Sequence, residues 1–550
     1  MAKRYRPVLR DQPFLLPPDM REWLPADHQV WLVIGAVEDH LDTSAFHAAR
    51  RTGGAGTAGY DPDMLATLLV WAYAHGVTSS RRVEELCHTD VAFRVICAQD
   101  APDHCTIARF RGAFPGAVEA LFTSVLVLCA KLGMGRLGTV ALDGTKVAAN
   151  ASKAANRTGE RLRKLAADLV AGHAATDAAE DELFGVDRRG DEVPPGAASP
   201  TSRDERIRQA LAELEAERQA TGAERDAQAR ACLEALESGQ PPAGGAPASA
   251  AVAAARLRLG RAEAAQRALI AAREARDAQA RAAGHRGYRG KRPAALDAHA
   301  GVAKARAALA RAEARAAEAG RKAAAKKGPG PVRNITDPDS RLMPVRGGGF
   351  IQGYNAQNDV SEDGLIIATE LTCDTTDTAW FEPMLRAAED AAALIAAHQP
   401  APGQAASADH GAGRAGSPVG LFLADAGYCS EHNLTLPGPD RLIATGKHRD
   451  LEKAARAGTG TGPAPPASAA ITAMAARLCT EEGITAYRQR GHIAETPHGH
   501  IKHNLRFRQL SVRGKAKAAA EWRFACTVHN LFKAITAGHL TTQALTALAG

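Results

Sequence analysis

The sequence lacks the short cysteine pairs that are typical of disulfide-rich domains and zinc ribbons. Its nine cysteines are scattered along 550 residues, and no two of them form a CxxC motif. Neither a disulfide framework nor a cysteine-based zinc site is therefore supported. This pattern fits a reducing compartment, and we expect a cytoplasmic protein.

Long hydrophobic runs and a nucleotide-cradling loop are also missing. The longest apolar stretch, ALFTSVLVLCA at 120–130, is well short of the roughly 20 residues that a membrane span needs. The opening MAKRYRPVLRDQPFLLPPDM has only a three-residue apolar run, too short for a signal-peptide core. The string GHRGYRG lacks the Gly-Lys-Ser/Thr ending of a phosphate-binding loop. We expect no membrane partner and no nucleotide cofactor.

Length and charge give broader limits. A chain of 550 residues is longer than the roughly 250 to 300 residues that one hydrophobic core serves, so two or three domains are expected. The 68 Lys and Arg against 61 Asp and Glu give a net charge of +7. This mild basic excess suits a polyanionic partner such as nucleic acid, although proteins without such a partner also carry it.

The first 135 residues or so have the pattern of a helical domain. DPDMLATLLVWAYAHG places apolar residues at helical spacing, and SSRRVEELCH and DHCTIARFRGAF predict further short helices. In the last of these, Arg109 and Arg111 stand beside Ile107 and Phe110. Such a helix could dock in a DNA groove. It could equally be a surface helix with solvated arginines.

From about 159 to 330 the composition changes to Ala, Arg and Glu with almost no aromatic residues. Three helix-forming blocks are predicted, of which 201–236 is the best formed. Because most positions of the apolar stripe are Ala, each helix buries little, and we expect antiparallel coils or partial disorder. The basic strings HRGYRGKRP and GRKAAAKKGPGP could contact phosphate backbones or be solvated. We interpret this region as an insertion.

After residue 345 the pattern predicts strands that then alternate with helices. GGGFIQGYNAQNDVSED and GLIIATELTCD predict neighbouring strands joined by a turn, and VGLFLADAGYCS and RLIATG predict two more. TAWFEPMLRAAEDAAALIAAH and AAAEWRFACTVHNLFKAI predict amphipathic helices. Strands joined by local turns and followed by such alternation indicate a mixed α/β layer fold.

Two acids follow apolar strands directly. Asp143 comes after VAL, and Asp425 comes after LFLA. Strand ends are where polar side chains reach a common crevice, and two carboxylates converging there repel unless a cation lies between them. Oxygen ligands of this kind suit Mg²⁺ or Mn²⁺.

A third acid is available in YRQRGHIAETPHGHIKHN. Glu495 precedes Lys502 by seven residues, about two helical turns, so both side chains would point along one face. Proline is tolerated in a first helical turn, so Pro497 predicts that the helix begins close to Glu495. Glu495 could also be an ordinary first-turn acid favoured by the helix dipole.

The order of these acids, and the strings around them, resembles the DDE transposases of bacterial insertion sequences, and more closely their insertion-sequence-1182-like branch. The resemblance extends over nearly the whole chain except the Ala-rich insertion and a loop at about 448–475. The strings that carry it are PDHCTIARFR, ALDGTKVAANAS, TDPDSRLM, GYNAQ, LADAGY, and YRQR followed by Glu495 and Lys502.

The resemblance implies a ribonuclease H-like mixed sheet with flanking helices, preceded by an all-α N-terminal DNA-binding domain and interrupted by the coiled-coil-like helical insertion. The implied boundaries are 1–135, 136–158, 159–330 and 331–550. The second and fourth ranges would together form the catalytic domain.

The resemblance also implies the site. Asp143, Asp425 and Glu495 would be the catalytic acids and the ligands of two Mg²⁺ or Mn²⁺ ions, which stabilise the attacking and leaving oxygens of a phosphodiester. Tyr487, Arg490 and Lys502 would hold DNA phosphates near the cut. In two respects the chain departs from the family pattern, since Thr496 separates Glu495 from Pro497 and His498 stands before Gly499.

The implied activity is hydrolysis of the element's ends and strand transfer into target DNA. The partners would be double-stranded DNA, namely terminal inverted repeats and target, with a homo-oligomer acting on paired ends and association with the bacterial nucleoid. Specificity for the repeats would then lie in the helical domain, including Arg109 and Arg111.

Three other interpretations remain. LDGT is similar to the motif of Asp-nucleophile phosphatases, but the position of their attacking Asp is Ala141. A zinc site could be drawn from the histidines His492, His498, His500 and His503, although their spacing is irregular. The strongest alternative is a transposase-derived DNA-binding protein without cleavage activity, against which the intact acids argue.

Overall fold

The computed structural model describes residues 19–48, 59–113, 115–168, 203–237, 248–325, 331–345, 348–400, 417–446 and 468–549. The chain forms two compact units. Unit 1 contains residues 1–156 and 334–550, and unit 2 contains residues 157–333. Residues 1–135 thus belong to the same compact unit as the segments that carry Asp143, Asp425 and Glu495.

Helices form the first part of unit 1, as predicted. α3 illustrates the local cause: the Asp61 side chain accepts a hydrogen bond from the Asp63 amide, and Pro62 occupies the first turn, where its missing N–H is not needed. A 3₁₀ turn spans Met20–Glu22. The helices are α1 Gln29–Asp39, α2 Ser44–Ala48, α3 Pro62–Ala74, α4 Ser80–Thr89, α5 Val91–Ile96, α6 His104–Ala113 and α7 Pro115–Lys131.

A mixed sheet is the centre of unit 1, and it confirms the predicted mixed α/β class. The strand order is β4-β5-β1-β7-β8, with β6 also paired to β5. β4, β1 and β6 are antiparallel to β5, whereas β7 is parallel to both β1 and β8. The strands are β1 Thr139–Ala148, β4 Arg341–Pro344, β5 Phe350–Ser361, β6 Ile366–Thr372, β7 Leu421–Ala424 and β8 Asp440–Ile443; β2 Asn156–Thr158 and β3 Val332–Asn334 form a separate two-stranded ladder.

The prediction that Asp143 ends its strand is wrong. β1 continues for five more residues, to Ala148, because the long strand β5 pairs with it from Val140 to Ala148. What ends beside Asp143 is the parallel ladder with β7, whose last register pair is Leu142 with Ala424. Asp425, in contrast, directly follows β7, as predicted.

One hydrophobic core joins the sheet to the helices on it. The central residues of β1, from Val140 to Leu142, are fully buried, and so is Trp522. The helix that carries Trp522, α16 (Lys515–Thr536), packs against α7 and β6, so apolar residues of the N-terminal helices and of the sheet belong to one cluster. The remaining helices of unit 1 are α11 Phe381–His398, α12 Glu431–Thr435, α13 Ala469–Leu478, α14 Glu481–Arg490, α15 Thr496–Gly499, α16 Lys515–Thr536 and α17 Thr542–Ala549.

The prediction that a helix begins near Glu495 is also wrong. The chain is already helical from Glu481, and it continues through α14, a π-helical turn at Gly491–Glu495, α15 and a second π-helical turn at His500–Asn504. Pro497 is accommodated because the wider π turn precedes it, and the Thr496 hydroxyl donates to the carbonyl of His492. A π turn inside a helix often marks a functional site.

Unit 2 consists of the predicted Ala-rich helices. They are α8 Arg203–Glu237, α9 Ala248–Ala282 and α10 Ala300–Ala325, and residues 159–168 are also helical. α9 and α10 pack along each other. The basic string at 285–293 is turned toward its own unit, since Arg273 and Arg276 lie over the Tyr288 ring. Part of the other basic string at 320–331, namely residues 326–330, lies outside the described residues.

Among the described residues, no single helix is both long and apolar enough to cross a membrane. Helices α6 and α7, which meet at a bend, are long and apolar enough only when the two are counted together.

Candidate active site

Asp143 and Asp425 are held side by side by the parallel pairing of β1 with β7. Each acid comes one position after the last register pair of that ladder, Leu142 with Ala424. Neighbouring strands lie about 4.8 Å apart, so the parallel pairing brings the buried carboxylate of Asp143 close to the partly exposed carboxylate of Asp425. The sequence predicted this convergence.

Arg490 lies between the two carboxylates. Its guanidinium Nη2 donates to Asp143 Oδ1 at 2.8 Å and lies 3.8 Å from Asp425 Oδ2. The Arg490 side chain is only 9 % exposed. Burial alone would lower the pKa of Arg490, but the carboxylates of Asp143, Asp425 and Glu495, together with Tyr487, raise it above its ordinary value. Arg490 is therefore a permanent cation that offsets two converging acids.

Two further cationic or ionisable side chains reach the same face of β1. His498 Nδ1 lies 3.5 Å from Asp143 Oδ2. The Lys502 ammonium donates to the Thr145 hydroxyl and, at 2.8 Å, to the carbonyl of Lys146. Burial lowers the pKa of Lys502, whereas Asp143 raises it. In this structure Lys502 thus anchors the helical segment to β1.

A fourth acid, Asp377, lies on the other side of β1, and the sequence reasoning missed it. Its Oδ1 accepts hydrogen bonds from the side-chain amides of Asn355, at 2.6 Å, and Gln357, at 2.8 Å, and lies 3.4 Å from the Lys146 ammonium. A Cβ at Gly144 would come within 2.8 Å of the same oxygen. Glycine after Asp143 is therefore needed to admit Asp377, which no local pattern in the sequence indicates.

Asp377 also approaches Asp425. A Cβ at Gly427 would lie 2.9 Å from Asp425 Oδ1 and 3.4 Å from Asp377 Oδ2. Burial is the main cause that raises the pKa of Asp425, and the carboxylates of Asp143 and Asp377 add to it, while Arg490 and the Gly427 amide oppose them. The site thus carries an excess of negative charge that a further cation would stabilise.

Glu495 is exposed, on the π-helical turn that follows Arg490. It acts electrostatically on Arg490, as Asp143 and Asp425 do. Among the described residues, only His47, Asp61 and Asp63 bring three candidate ligand atoms within 4.8 Å of one another. Glu495 is thus near the aspartates but does not share one tight ligand set with them.

The residues predicted to hold DNA near the cut are mainly engaged within the protein. The Tyr487 hydroxyl donates to the carbonyl of Ala424 at 3.2 Å, at the end of β7. Arg490 and Lys502 bind Asp143 and β1 as described above. In this arrangement these residues position the strands that carry the acids.

Arg109 and Arg111 point in different directions. Arg109 is exposed and lines a hollow with Phe46 and Tyr60. Arg111 donates to the carbonyl of Thr78, and its Nε lies 4.0 Å from Glu521 Oε1. The two arginines therefore do not form one DNA-facing surface.

The histidines considered for zinc have separate partners. His500 Nδ1 lies 3.0 Å from Nδ1 of His529, His503 lies beside Arg508, and His498 faces Asp143. Burial and the neighbouring His500 lower the pKa of His529 to about 3. Within the described residues these side chains do not gather around a common point.

The donor set at β1 and β7 suits a hard divalent cation. Asp143 and Asp425 offer carboxylate oxygens on either side of the position that the Arg490 guanidinium approaches. Two buried nitrogens beside them, Nε of Arg490 and Nε2 of His498, have no hydrogen-bond partner among the described residues. The two aspartates therefore fit a hard divalent cation, with Glu495 at the edge of the site, whereas Nε of Arg490 is a hydrogen-bond donor and suits an anionic oxygen such as that of a phosphate.

Comparison with protein families gives two matches. The family model described as Transposase domain (DUF772) matches residues 18–113. The model described as Transposase DDE domain matches residues 458–535, a range that includes Arg490, Glu495 and Lys502 but neither Asp143 nor Asp425. No curated protein and no solved structure matches the chain. Two transposase family models thus match separate parts of unit 1, and together they support a DDE transposase.

Proposed function

We propose that this protein is a transposase of the insertion-sequence-1182-like branch, which cleaves the ends of a mobile element and transfers them to target DNA. Asp143, Asp425 and Glu495 are the catalytic acids in this proposal. Its DNA partners are terminal inverted repeats and target duplex, bound by a homo-oligomer on paired ends in the bacterial cytoplasm. The ribonuclease H-like fold is part of the proposal, and the three antiparallel strands followed by two parallel ones support it.

The observation that carries the proposal is the pair Asp143 and Asp425 around one buried cation position. Mg²⁺ and Mn²⁺ prefer such oxygen ligands. When bound, two ions of this kind would neutralise the charge that develops on a phosphodiester and make a water more acidic. In the proposed reaction Asp143 and Asp425 hold these cations, and Glu495 completes the set from its exposed position.

The cationic side chains have a second part in the proposal. Arg490 lies within reach of both aspartates, so it can exchange a carboxylate for a DNA phosphate while its charge stays near the reacting bond. Tyr487 and Lys502 keep the ends of β7 and β1 in place, and Lys502 remains close enough to Asp143 to act on the same backbone. Specific base recognition is not expected from any of them, because phosphate contacts position DNA without reading its sequence.

The test is cleavage of a duplex that spans the DNA flanking the gene, with Mn²⁺ or with EDTA. We expect nicking only with the metal. Asp143→Asn, Asp425→Asn and Glu495→Gln should each slow nicking at least about 100-fold, more than loss of a residue that only supports a ligand, while binding of the duplex persists. Glu482→Gln, which changes an exposed acid on α14, is the matched control.

Each outcome decides a part of the proposal. Normal nicking by one of the three variants removes that acid from the catalytic set. If the unchanged protein binds the terminal repeats tightly but never nicks them with Mn²⁺, the alternative of a DNA-binding protein without cleavage activity is correct.

A further inference from the structure

A basic groove in unit 1 is lined by residues other than Asp143 and Asp425. Its volume is about 860 Å³. Three segments line it: the start of α4, one face of α6, and the chain that follows the second π turn. No Asp or Glu is found among its lining residues in the part of the chain that the structure describes. The basic residues that line it are Arg81, Arg111, Arg506 and Arg508, and His104 lines it as well.

Two of these basic side chains have acidic neighbours, since His104 lies 2.8 Å from Glu84 and Arg111 lies 4.0 Å from Glu521, but in the described part of the chain the other three are not offset in this way. Arg81, Arg506 and Arg508 are exposed. Among the described residues Arg81 and Arg506 have no acidic partner, and the Arg508 side chain donates to the carbonyl of Lys502 and to Nδ1 of His503. Three exposed guanidinium groups around one concave surface create a positive potential that favours a polyanion.

The backbone of the groove is shaped for close approach. Arg506 has a positive φ of 52°, which is uncommon for a residue with a side chain and is found where the surrounding structure requires it. A Cβ at Gly76 would lie 3.0 Å from the Arg506 side chain, so glycine there leaves room for Arg506. The start of α4 also lines the groove through Ser79 and Ser80, and the N-cap Ser79 makes no side-chain capping bond.

The groove has a defined separation from the acids. Asn150 lines it, and Asn150 follows Asp143 by seven residues along and just beyond β1. At roughly 3.3 Å per residue of strand, these two positions are about 23 Å apart. With a rise of about 3.4 Å per base pair along the helix axis, this length corresponds to about seven base pairs of duplex DNA.

We infer that this groove binds the sugar-phosphate backbone of the element-end duplex, about seven base pairs from the bond that is cut. The choice of DNA rests on the proposed function. Cleavage at one defined phosphodiester requires the cut duplex to be held in register, whereas target DNA needs no fixed register. A phosphate contact in the groove, on segments that belong to the same compact unit as the acids, supplies such a register. Arg81, Arg506 and Arg508 contact phosphates in this assignment, and α6 faces the duplex through His104 and Ala108.

The first experiment measures binding without cleavage. A fluorescent 40-base-pair duplex carrying the terminal repeat is titrated in EDTA at several salt concentrations, with the double variant Arg81→Ala and Arg508→Ala. Each lost phosphate contact should lower the slope of log affinity against log salt by about one. We expect a slope lower by about two and an affinity at least about tenfold weaker at 0.2 M salt.

A matched control removes the same amount of charge elsewhere. Arg82→Ala with Arg386→Ala takes away two surface arginines that are paired with Glu85 and Glu382. This variant should bind the duplex with nearly the original slope. Equal losses for the two double variants would show a general charge effect and would overturn the assignment of the groove.

Cys105 gives a second measurement that needs no substitution. Its thiol is exposed and lines the groove, so saturating terminal-repeat duplex should slow its alkylation by iodoacetamide, as followed by mass spectrometry. Unchanged alkylation would overturn the inference. So would a double variant that binds the terminal repeat normally and loses only the capture of target DNA.

These results are separable from the proposed function. If the groove variants lose binding in EDTA but the unchanged protein never nicks DNA, the groove is supported and the catalytic proposal fails. If the protein nicks DNA and the groove variants bind and nick normally, the catalytic proposal stands and the groove assignment fails.

Discussion

Two buried aspartates of one sheet, Asp143 on β1 and Asp359 on β5, have opposite surroundings. Asp143 receives a hydrogen bond from Arg490 and lies near His498. Asp359 is fully buried, and neither of its oxygens has a hydrogen-bond partner among the described residues. Because Asp143 is paired in register with Asn358 and Leu142 with Asp359, the two acids project to opposite faces of the sheet.

The difference shows which acid is suited to chemistry. Burial raises the pKa of Asp359 well above the ordinary range for aspartate, and the part of the chain that the structure describes places no ion pair on it, so burial favours its protonated form. At Asp143, a cation compensates for the lost water, so an ionised carboxylate can persist in a buried position. Only an ionised carboxylate attracts a metal ion. Both residues are aspartates on strands of one sheet, so the residue type alone does not show which of them is suited to bind metal.

The largest effect is expected when Asp143 loses its neighbouring cation, so that its surroundings become like those of Asp359. Arg490→Met removes the cation between Asp143 and Asp425 and leaves the buried carboxylate of Asp143 unpaired beside the partly exposed Asp425. We expect the free energy of unfolding, measured in urea with EDTA present, to fall by about 3 to 5 kcal/mol. Mn²⁺ should then stabilise the variant more than the unchanged protein, because the ion replaces the missing charge.

Arg386→Met is the control for this prediction. It breaks an exposed pair with Glu382 one helical turn away and should cost less than about 1 kcal/mol. A loss for Arg490→Met no larger than that of the control, with no added response to Mn²⁺, would mean that the two aspartates do not depend on a shared cation.

An intermediate effect is expected from Asp359→Asn. The pKa of Asp359 is higher in the folded state than its ordinary value of 3.8, so the folded state holds the proton more tightly. Its contribution to stability is complete below that value and is lost as the pH rises toward the folded pKa, by up to about 1.4 kcal/mol per pH unit. Unfolding free energies measured from pH 4 to pH 8 should show this loss in the unchanged protein and a smaller one in Asp359→Asn. If the unfolding free energies of the two proteins change with pH in parallel, Asp359 is ionised in the folded state and the prediction is wrong.

The smallest effect on stability is expected from Asp377→Asn. The amide oxygen can still accept from Asn355 and Gln357, and the lost ion pair with Lys146 is partly exposed, so less than about 1 kcal/mol should be lost. Removing one of the acids around Asp425 should nevertheless weaken Mn²⁺ binding several-fold, as read from the thermal shift in a metal titration. Unchanged Mn²⁺ affinity would exclude Asp377 from the electrostatics of the site.

Much of the fold could be predicted from the sequence because its signals are local. The hairpin of β5 and β6 follows from two apolar runs around a turn in which Gly364 has a φ of 85°. α11 and α16 follow from helical periodicity over 18 and 22 residues. The end of β1 could not be predicted in this way, because pairing with β5 far along the chain decides it.

The site was predictable only where acids directly follow runs of apolar residues. Asp143 and Asp425 have that signal, and parallel pairing brings them together as expected. Asp377 has no such signal, since it belongs to the loop before α11 and its place depends on Asn355, Gln357 and the missing side chain at Gly144. Glu495 was placed at the start of a helix because the effect of a π turn on proline is not visible in a linear pattern.

By itself the sequence determined the helices and strands with strong periodicity, the Ala-rich character of unit 2, and two of the acids that the fold brings together. Those features depend on neighbouring residues, whose spacing decides which side of a helix or strand is apolar. The tertiary structure alone decided that Arg490 stands between Asp143 and Asp425, that Asp377 joins them, and that Arg81 and Arg508 share a groove. Such contacts depend on distances between residues far apart in the chain, which only the packing of the sheet and helices sets.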